Sequence, residues 1–201
     1  RRYQGQLNLL AVGPLTNLAI ALALEPALVH WVRRVVIMGG TSAGRGNTSM
    51  AAEFNFFADP ESAAMVLAAG WTVELIPWEL TLRSLVSLDV LPPPGSSALA
   101  DVFRRACGPM LKRMEAMGKP NSMLMCDFAA LAVALEPDIV LERDLVYGAV
   151  ETSGQWGRGF LALDYTNRGF GPPNLQLVQS LNERRLQDLF AQAFTDNRGS
   201  K

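Results

Sequence analysis

Val36-Ile37-Met38-Gly39-Gly40 opens the stretch of this chain whose reading decides the fold, and Asp59-Pro60-Glu61 closes it. The apolar run before Gly39 reads as a buried strand, since β-branched residues suit a packed, pleated surface. Gly39-Gly40 ends that strand. A loop rich in Gly, Ser and Thr then carries Asn47, Glu53 and Asn55 before Asp59-Pro60 starts a helix. Asp59 is expected to be the helix N-cap, with Pro60 suited to the first turn. In an open α/β sheet, ligands bind in the crevice outside the carboxyl ends of the strands. Two amides and a carboxylate at such an end can hydrogen-bond a polyhydroxylated ligand, whose hydroxyls each donate and accept. The alternative for Asn47, Glu53 and Asn55 is a set of hydrogen bonds that only stabilise the loop.

The flanking segments extend the same pattern outward. Residues 7–12 read as a short buried strand ended by Gly13-Pro14, and 15–24 as a helix rich in Ala and Leu. Residues 32–38 form the second strand, 60–69 a helix of good formers stopped by Gly70, and 71–77 a third strand. Trp78-Glu79-Leu80-Thr81 lies at the carboxyl end of that third strand. Strand, helix, strand, helix, strand predicts an α/β fold, a mostly parallel sheet flanked by helices. Pro92-Pro93-Pro94-Gly95 punctuates the chain. Beyond it, 98–117 predicts a long helix broken at Gly108-Pro109, and 128–135 a buried helix. Residues 145–151 and 160–164 read as late strands, 181–194 as an amphipathic helix, and 196–201 as a frayed end.

With 201 residues and 49% hydrophobic content, the chain can bury a sizeable core, and one domain over 1–201 is the expectation. Its 18 basic and 19 acidic residues give a net charge of −1 with no basic block, which argues against nucleic acid or an anionic membrane as partner. Cys107 and Cys126 are too few for a disulfide framework and favour a reducing, cytoplasmic setting. No apolar run reaches membrane-spanning length, and no signal peptide precedes Arg1. The glycines lack the dinucleotide-binding spacing, and His30, the one histidine, has no triad partners in sequence.

Met38-Gly39-Gly40, Gly46-Asn47, Ala52-Glu53-Phe54-Asn55 and Asp59-Pro60-Glu61 together resemble the inosine–uridine preferring nucleoside hydrolase family. Gly13-Pro14-Leu15-Thr16-Asn17 upstream, and Cys126-Asp127 ahead of an apolar helix ending Leu135-Glu136-Pro137, are similar to two further signatures of that family. The resemblance implies a Rossmann-like core and hydrolysis of the N-glycosidic bond of ribonucleosides to ribose and free base. It implies ribose contacts from Met38, Asn47, Glu53 and Asn55. It also implies a calcium ion, with the Asp127 carboxylate and the Val12 backbone carbonyl as ligands, and a homo-oligomer. A calcium would suit the chemistry, gripping sugar hydroxyls and acidifying the attacking water through hard oxygen ligands. Trp78 and Glu79 are candidate base contacts, the alternative being an aromatic core residue beside a surface carboxylate. Asp127 could equally cap helix 128–135.

Two departures from the family pattern stand out. Many members carry a histidine before the calcium-binding aspartate, thought to assist departure of the base, where this chain has Cys126. A neutral thiol is a poor general acid, so packing is the competing role for Cys126. The family's N-terminal aspartate-rich motif, which supplies most of the calcium ligands and the general base, is also absent. The chain thus reads as a carboxyl-terminal portion, incomplete at the N-terminus and expected to be inactive alone. The alternative is a non-catalytic nucleoside-binding or assembly protein of the same descent.

Overall fold

Burial on both faces is what turns the apolar run 35–38 into the interior part of a strand. The structure, a computed structural model, describes residues 2–166 and 168–195. In chain order it runs β1 (Leu7–Ala11), α1 (Thr16–Leu24), α2 (Leu28–Trp31), β2 (Val32–Met38), α3 (Phe54–Ala58), α4 (Pro60–Ala68), β3 (Val73–Ile76) and α5 (Trp78–Arg83). It continues through β4 (Val86–Ser87), α6 (Ala98–Ala106), α7 (Gly108–Ala116), β5 (Ser122–Met123) and α8 (Cys126–Leu135). β6 (Val140–Val150), β7 (Leu161–Asp164), β8 (Leu175–Leu181) and α9 (Glu183–Thr195) complete it. The frayed end expected at 196–201 lies outside the described residues.

The main sheet has the order β1-β2-β3-β8-β6-β7. β1, β2, β3 and β8 are mutually parallel, and β6 runs antiparallel to both β8 and β7. This is the mostly parallel α/β architecture expected. Successive side chains of β2 point to opposite faces. Val35 and Ile37 enter a core shared with α1 and α4, while Val36 and Met38 enter one shared with α5, α8 and α9. A strand covered on both sides has no use for polar alternation, which is why 35–38 is continuously apolar.

The motif at 13–17 serves this scaffold. Leu15 is buried, and the Thr16 hydroxyl donates to Asp59. Asp59 caps α4 as expected, accepting from the Ser62 backbone N–H at 3.0 Å. One carboxylate therefore stops a helix end and ties α1 to α4.

The break expected at Gly108-Pro109 is present, with Pro109 in the first turn of the second helix. Elsewhere the structure departs from the expected boundaries. The strand expected to start at 145 begins at Val140, its early part disguised by Glu142, Arg143 and Asp144 on an outer strand. β8 was not anticipated at all, and 181–194 was given wholly to a helix that begins only at Glu183. Helix α8 starts at Cys126, with Met125 at the cap position making no side-chain bond. Asp127 therefore lies within the first turn, and its reading as an N-cap is overturned. Among the described residues, no helix is long and apolar enough to cross a membrane.

Phe56, fully buried, fills the space beneath the turn that follows β2. Phe56→Ala is expected to destabilise the chain by about 3–5 kcal/mol, read as a lower denaturant midpoint with an unchanged slope.

Candidate functional site

Why two glycines end β2 is clear from what lies against them. A Cβ on Gly39 would meet the Phe56 ring at 2.7 Å and Glu53 Oε2 at 3.3 Å. Gly40 has φ +66°, a left-handed conformation that glycine adopts without penalty. That conformation aims the Gly40 N–H at Glu53 Oε2, 3.1 Å away. The same oxygen accepts from Asn55 N at 2.9 Å and Phe56 N at 3.3 Å, so Glu53 is the N-cap of α3. The other oxygen, Oε1, has no hydrogen-bond partner among the described residues. A side chain only 2% exposed thus keeps one carboxylate oxygen unspent.

Asn55 is held from the strand side. Its Nδ2 donates to the Met38 carbonyl at 3.0 Å and approaches the Met38 sulfur at 3.5 Å. Asn47 is exposed, and its Oδ1 accepts from Phe54 N at 2.9 Å, leaving the Nδ2 end free of any hydrogen bond within the described residues. Gly46 allows the loop to fold this tightly: a Cβ there would stand 2.1 Å from the Ser49 carbonyl oxygen. The loop-stabilising bonds considered for these three residues are therefore real, and each residue still retains a polar atom for a ligand.

Cys126 and Asp127 approach the same place from α8, both within electrostatic range of Glu53. Val12, half-exposed, stands one residue beyond the Ala11–Ile37 pair and so level with Met38 on the next strand. The structure brings Met38, Glu53, Asn55, Cys126 and Asp127 together, with Asn47 and Val12 at the edge. Trp78 is half-buried against the α8-side core, and its backbone N–H donates to the Gly40 carbonyl at 3.0 Å. Glu79 accepts from Ser42 N at 2.7 Å and Ala43 N at 2.8 Å, clamping the loop after the glycines. His30 is exposed on α2, remote in sequence and in element from this group.

Thr81 is a member of the site that sequence reasoning passed over. It is buried, donates to the Trp78 carbonyl at 2.7 Å, and receives the Cys126 thiol at 3.4 Å. Its signal was its place two residues after Glu79 at a strand's carboxyl end. Burial pushes the Cys126 thiol up, so at neutral pH it is a protonated group turned toward Thr81.

The electrostatics run against ionisation here. Burial raises the Glu53 carboxyl above its ordinary range despite three backbone N–H groups that favour the charge, and nearby Asp127 adds repulsion. Asp127 is raised as well, by desolvation. Among the described residues no group of three His, Cys, Asp or Glu side chains could hold a metal ion. Calcium takes about six to eight oxygens, so Asp127 and the Val12 carbonyl do not by themselves fit the expected ion. An apolar cavity of about 540 Å³ lies over β6 and β7, lined by Tyr147, Leu163, Tyr165 and Phe170 among others.

The raised Glu53 carboxyl makes a signed prediction. Unfolded, the group ionises near 4.5, and folded at a higher pH. The fold therefore loses stability as pH rises through that interval. Glu53→Gln keeps an oxygen for the three N–H groups and carries no charge. Its stability advantage over the parent in urea should be smallest below pH 4.5, widen as pH rises, and level off above the folded value.

Comparison with known proteins is consistent with these motifs. Residues 1–188 match the family profile described as inosine-uridine preferring nucleoside hydrolase. The chain is 35% identical over 189 residues to the non-specific ribonucleoside hydrolase RihC of Escherichia coli O157:H7, covering 92% of this chain and 59% of that protein. It is 35% identical over 184 residues to RihC of Shigella dysenteriae serotype 1, covering 90% and 58%. The chain thus spans somewhat under two thirds of these relatives' length. Among solved structures, an inosine–guanosine nucleoside hydrolase superposes with TM-score 0.83 at 29% identity, over 94% of this chain and 61% of that one. A plant nucleoside hydrolase gives TM-score 0.86 at 22% identity over 97% and 64%, a likeness of fold. On the extent of the profile match and the identity to RihC, the chain belongs to the inosine–uridine preferring nucleoside hydrolase family.

Proposed function

We propose that this chain, read as one domain over 1–201, provides the ribose-binding part of a site that hydrolyses ribonucleosides to ribose and free base. The observation that carries the reading is Glu53. Three backbone N–H groups hold Oε2, and Oε1 is left without a partner among the described residues. A pinned carboxylate with one open oxygen is a preorganised acceptor for a sugar hydroxyl. Asn55, locked onto the Met38 carbonyl, and the open amide end of Asn47 offer a further acceptor and a donor.

Cleavage of an N-glycosidic bond builds positive charge on the sugar. Glu53, with Asp127 nearby, provides negative potential where that charge would develop. Cys126 is assigned a packing role, since its thiol is directed at Thr81 and burial keeps it protonated. Departure of the base then depends on another group. The calcium implied by the family would take Asp127 and the Val12 carbonyl as two donors and draw the rest from outside residues 1–201.

A chimera that supplies the family's N-terminal aspartate segment ahead of Arg1 tests the reading. There Glu53→Gln should lower kcat/KM on inosine or uridine by roughly ten- to a hundredfold, the worth of a charge-assisted hydrogen bond of about 1.5–3 kcal/mol. Hydrolysis at the parental rate would refute the ribose assignment. The 201-residue chain alone should show no micromolar calcium binding by calorimetry and no ribose release in a reducing-sugar assay. Either signal would mean that these residues carry a complete site.

A further inference from the structure

Helix α8 presents Asp127 at one end, and its other end is held by a residue of the sheet. The helix buries Ala129, Ala130, Ala132 and Val133. Methyl-sized side chains let a helix lie close to a sheet but give few knobs to resist sliding along the axis. Phe128 packs edge-on against Phe190, with ring centroids 5.4 Å apart, and Glu136 pairs with Arg185, but both contacts lead to α9 on the same face. They tie α8 to α9, which starts two residues after β8 ends. The Cys126 thiol meets Thr81 of α5 at 3.4 Å, and none of these contacts reaches β1 or β2, over which α8 lies.

Arg34 supplies the missing tie. It lies in β2, hydrogen-bonded between β1 and β3, so its backbone cannot shift independently. Its Nη2 donates to the carbonyls of Val133 at 3.1 Å and Ala134 at 2.6 Å, in the last turn of α8. Those carbonyls lack intrahelical partners and carry the negative end of the helix dipole. Nη1 donates to Glu74 Oε1 at 2.9 Å, and both side chains are about nine-tenths buried. Glu74 Oε2 is buried with no hydrogen-bond partner among the described residues, so the pair is not optimised for its own sake. A buried ion pair commonly returns no more than its desolvation costs. Its worth here is geometric.

We propose that Arg34, oriented by Glu74, is a positioning residue for Asp127: it sets the axial register of α8 and with it the reach of the carboxylate into the site. The proposal rests on the reading of Asp127 as a site residue. Helical rise is about 1.5 Å per residue, and a misplacement of about 1 Å can cost on the order of a hundredfold in rate. A modest slip of α8 is therefore enough to disable the site without unfolding anything.

The test is the double variant Arg34→Met/Glu74→Leu, which leaves no buried charge unpaired, unlike Arg34→Met alone. Its crystal structure as the 201-residue chain should show α8 displaced along its own axis by about 1 Å, with a melting temperature within a few degrees of the parent. In the chimera described above, kcat should fall on the order of a hundredfold, and Arg34→Lys should recover much of it. An α8 that superposes on the parent overturns the proposal whatever Asp127 does. Asp127→Ala in the same chimera separates the two ideas: parental hydrolysis there removes Asp127 from the site and takes the positioning role with it, even if α8 has moved.

Discussion

The bond from the Gly40 N–H to Glu53 is the constraint on which the rest of the site depends. It joins the residue that ends β2 to the residue that starts α3, across a loop that has no regular structure of its own. Because the same oxygen receives the first amides of α3, strand end and helix start are fixed to one atom. Phe56 is thereby driven under Gly39, where only a residue without a side chain leaves room. The two glycines, the carboxylate and the aromatic ring are one unit, and each residue type follows from the other three.

That unit is stable at an electrostatic cost. Glu53 is buried, its carboxyl raised, and its neighbour Asp127 has the same sign. A protein selected only for stability would place an amide there. Groups whose ionisation is shifted by burial and like-charge pairing are common where function needs them. Cys126 belongs to the same region, with its thiol directed at Thr81 and kept protonated by burial. The region therefore offers negative potential and hydrogen-bond acceptors, and little to donate a proton.

The sheet organises these groups by its ordinary geometry. Parallel strands β1, β2 and β3 end together, so Val12, Met38 and the Trp78–Glu79 segment reach one rim without special arrangement. Glu79 then closes the loop from the far side through Ser42 and Ala43. Helix α8 runs back along β1 and β2, which brings its first turn to that same rim. The chain spans somewhat under two thirds of its relatives' length.

Much of this was legible because it is local. β2, its Gly-Gly stop, the Asp59 cap with Pro60 behind it, and the Asn-Glu-Asn set lie within a single stretch of sequence, and each rests on the conformational preference of its own residues. The parallel architecture followed from the alternation of such stretches. What the sequence could not disclose depends on partners far along the chain. β8 is a strand because β3 and β6 flank it; alone, its Gln176, Gln179 and Ser180 hide the apolar residues at 175, 177, 178 and 181. Glu79 is a clamp because Ser42 lies 37 positions away, and Arg34 is a helix anchor because Val133 lies 99 positions away. Asp127 lies in the first turn rather than at the cap because α8 starts at Cys126, two residues before the expected start. Residue preference set the elements whose reasons lie within a few neighbours, and only long-range pairing could decide which polar side chains meet.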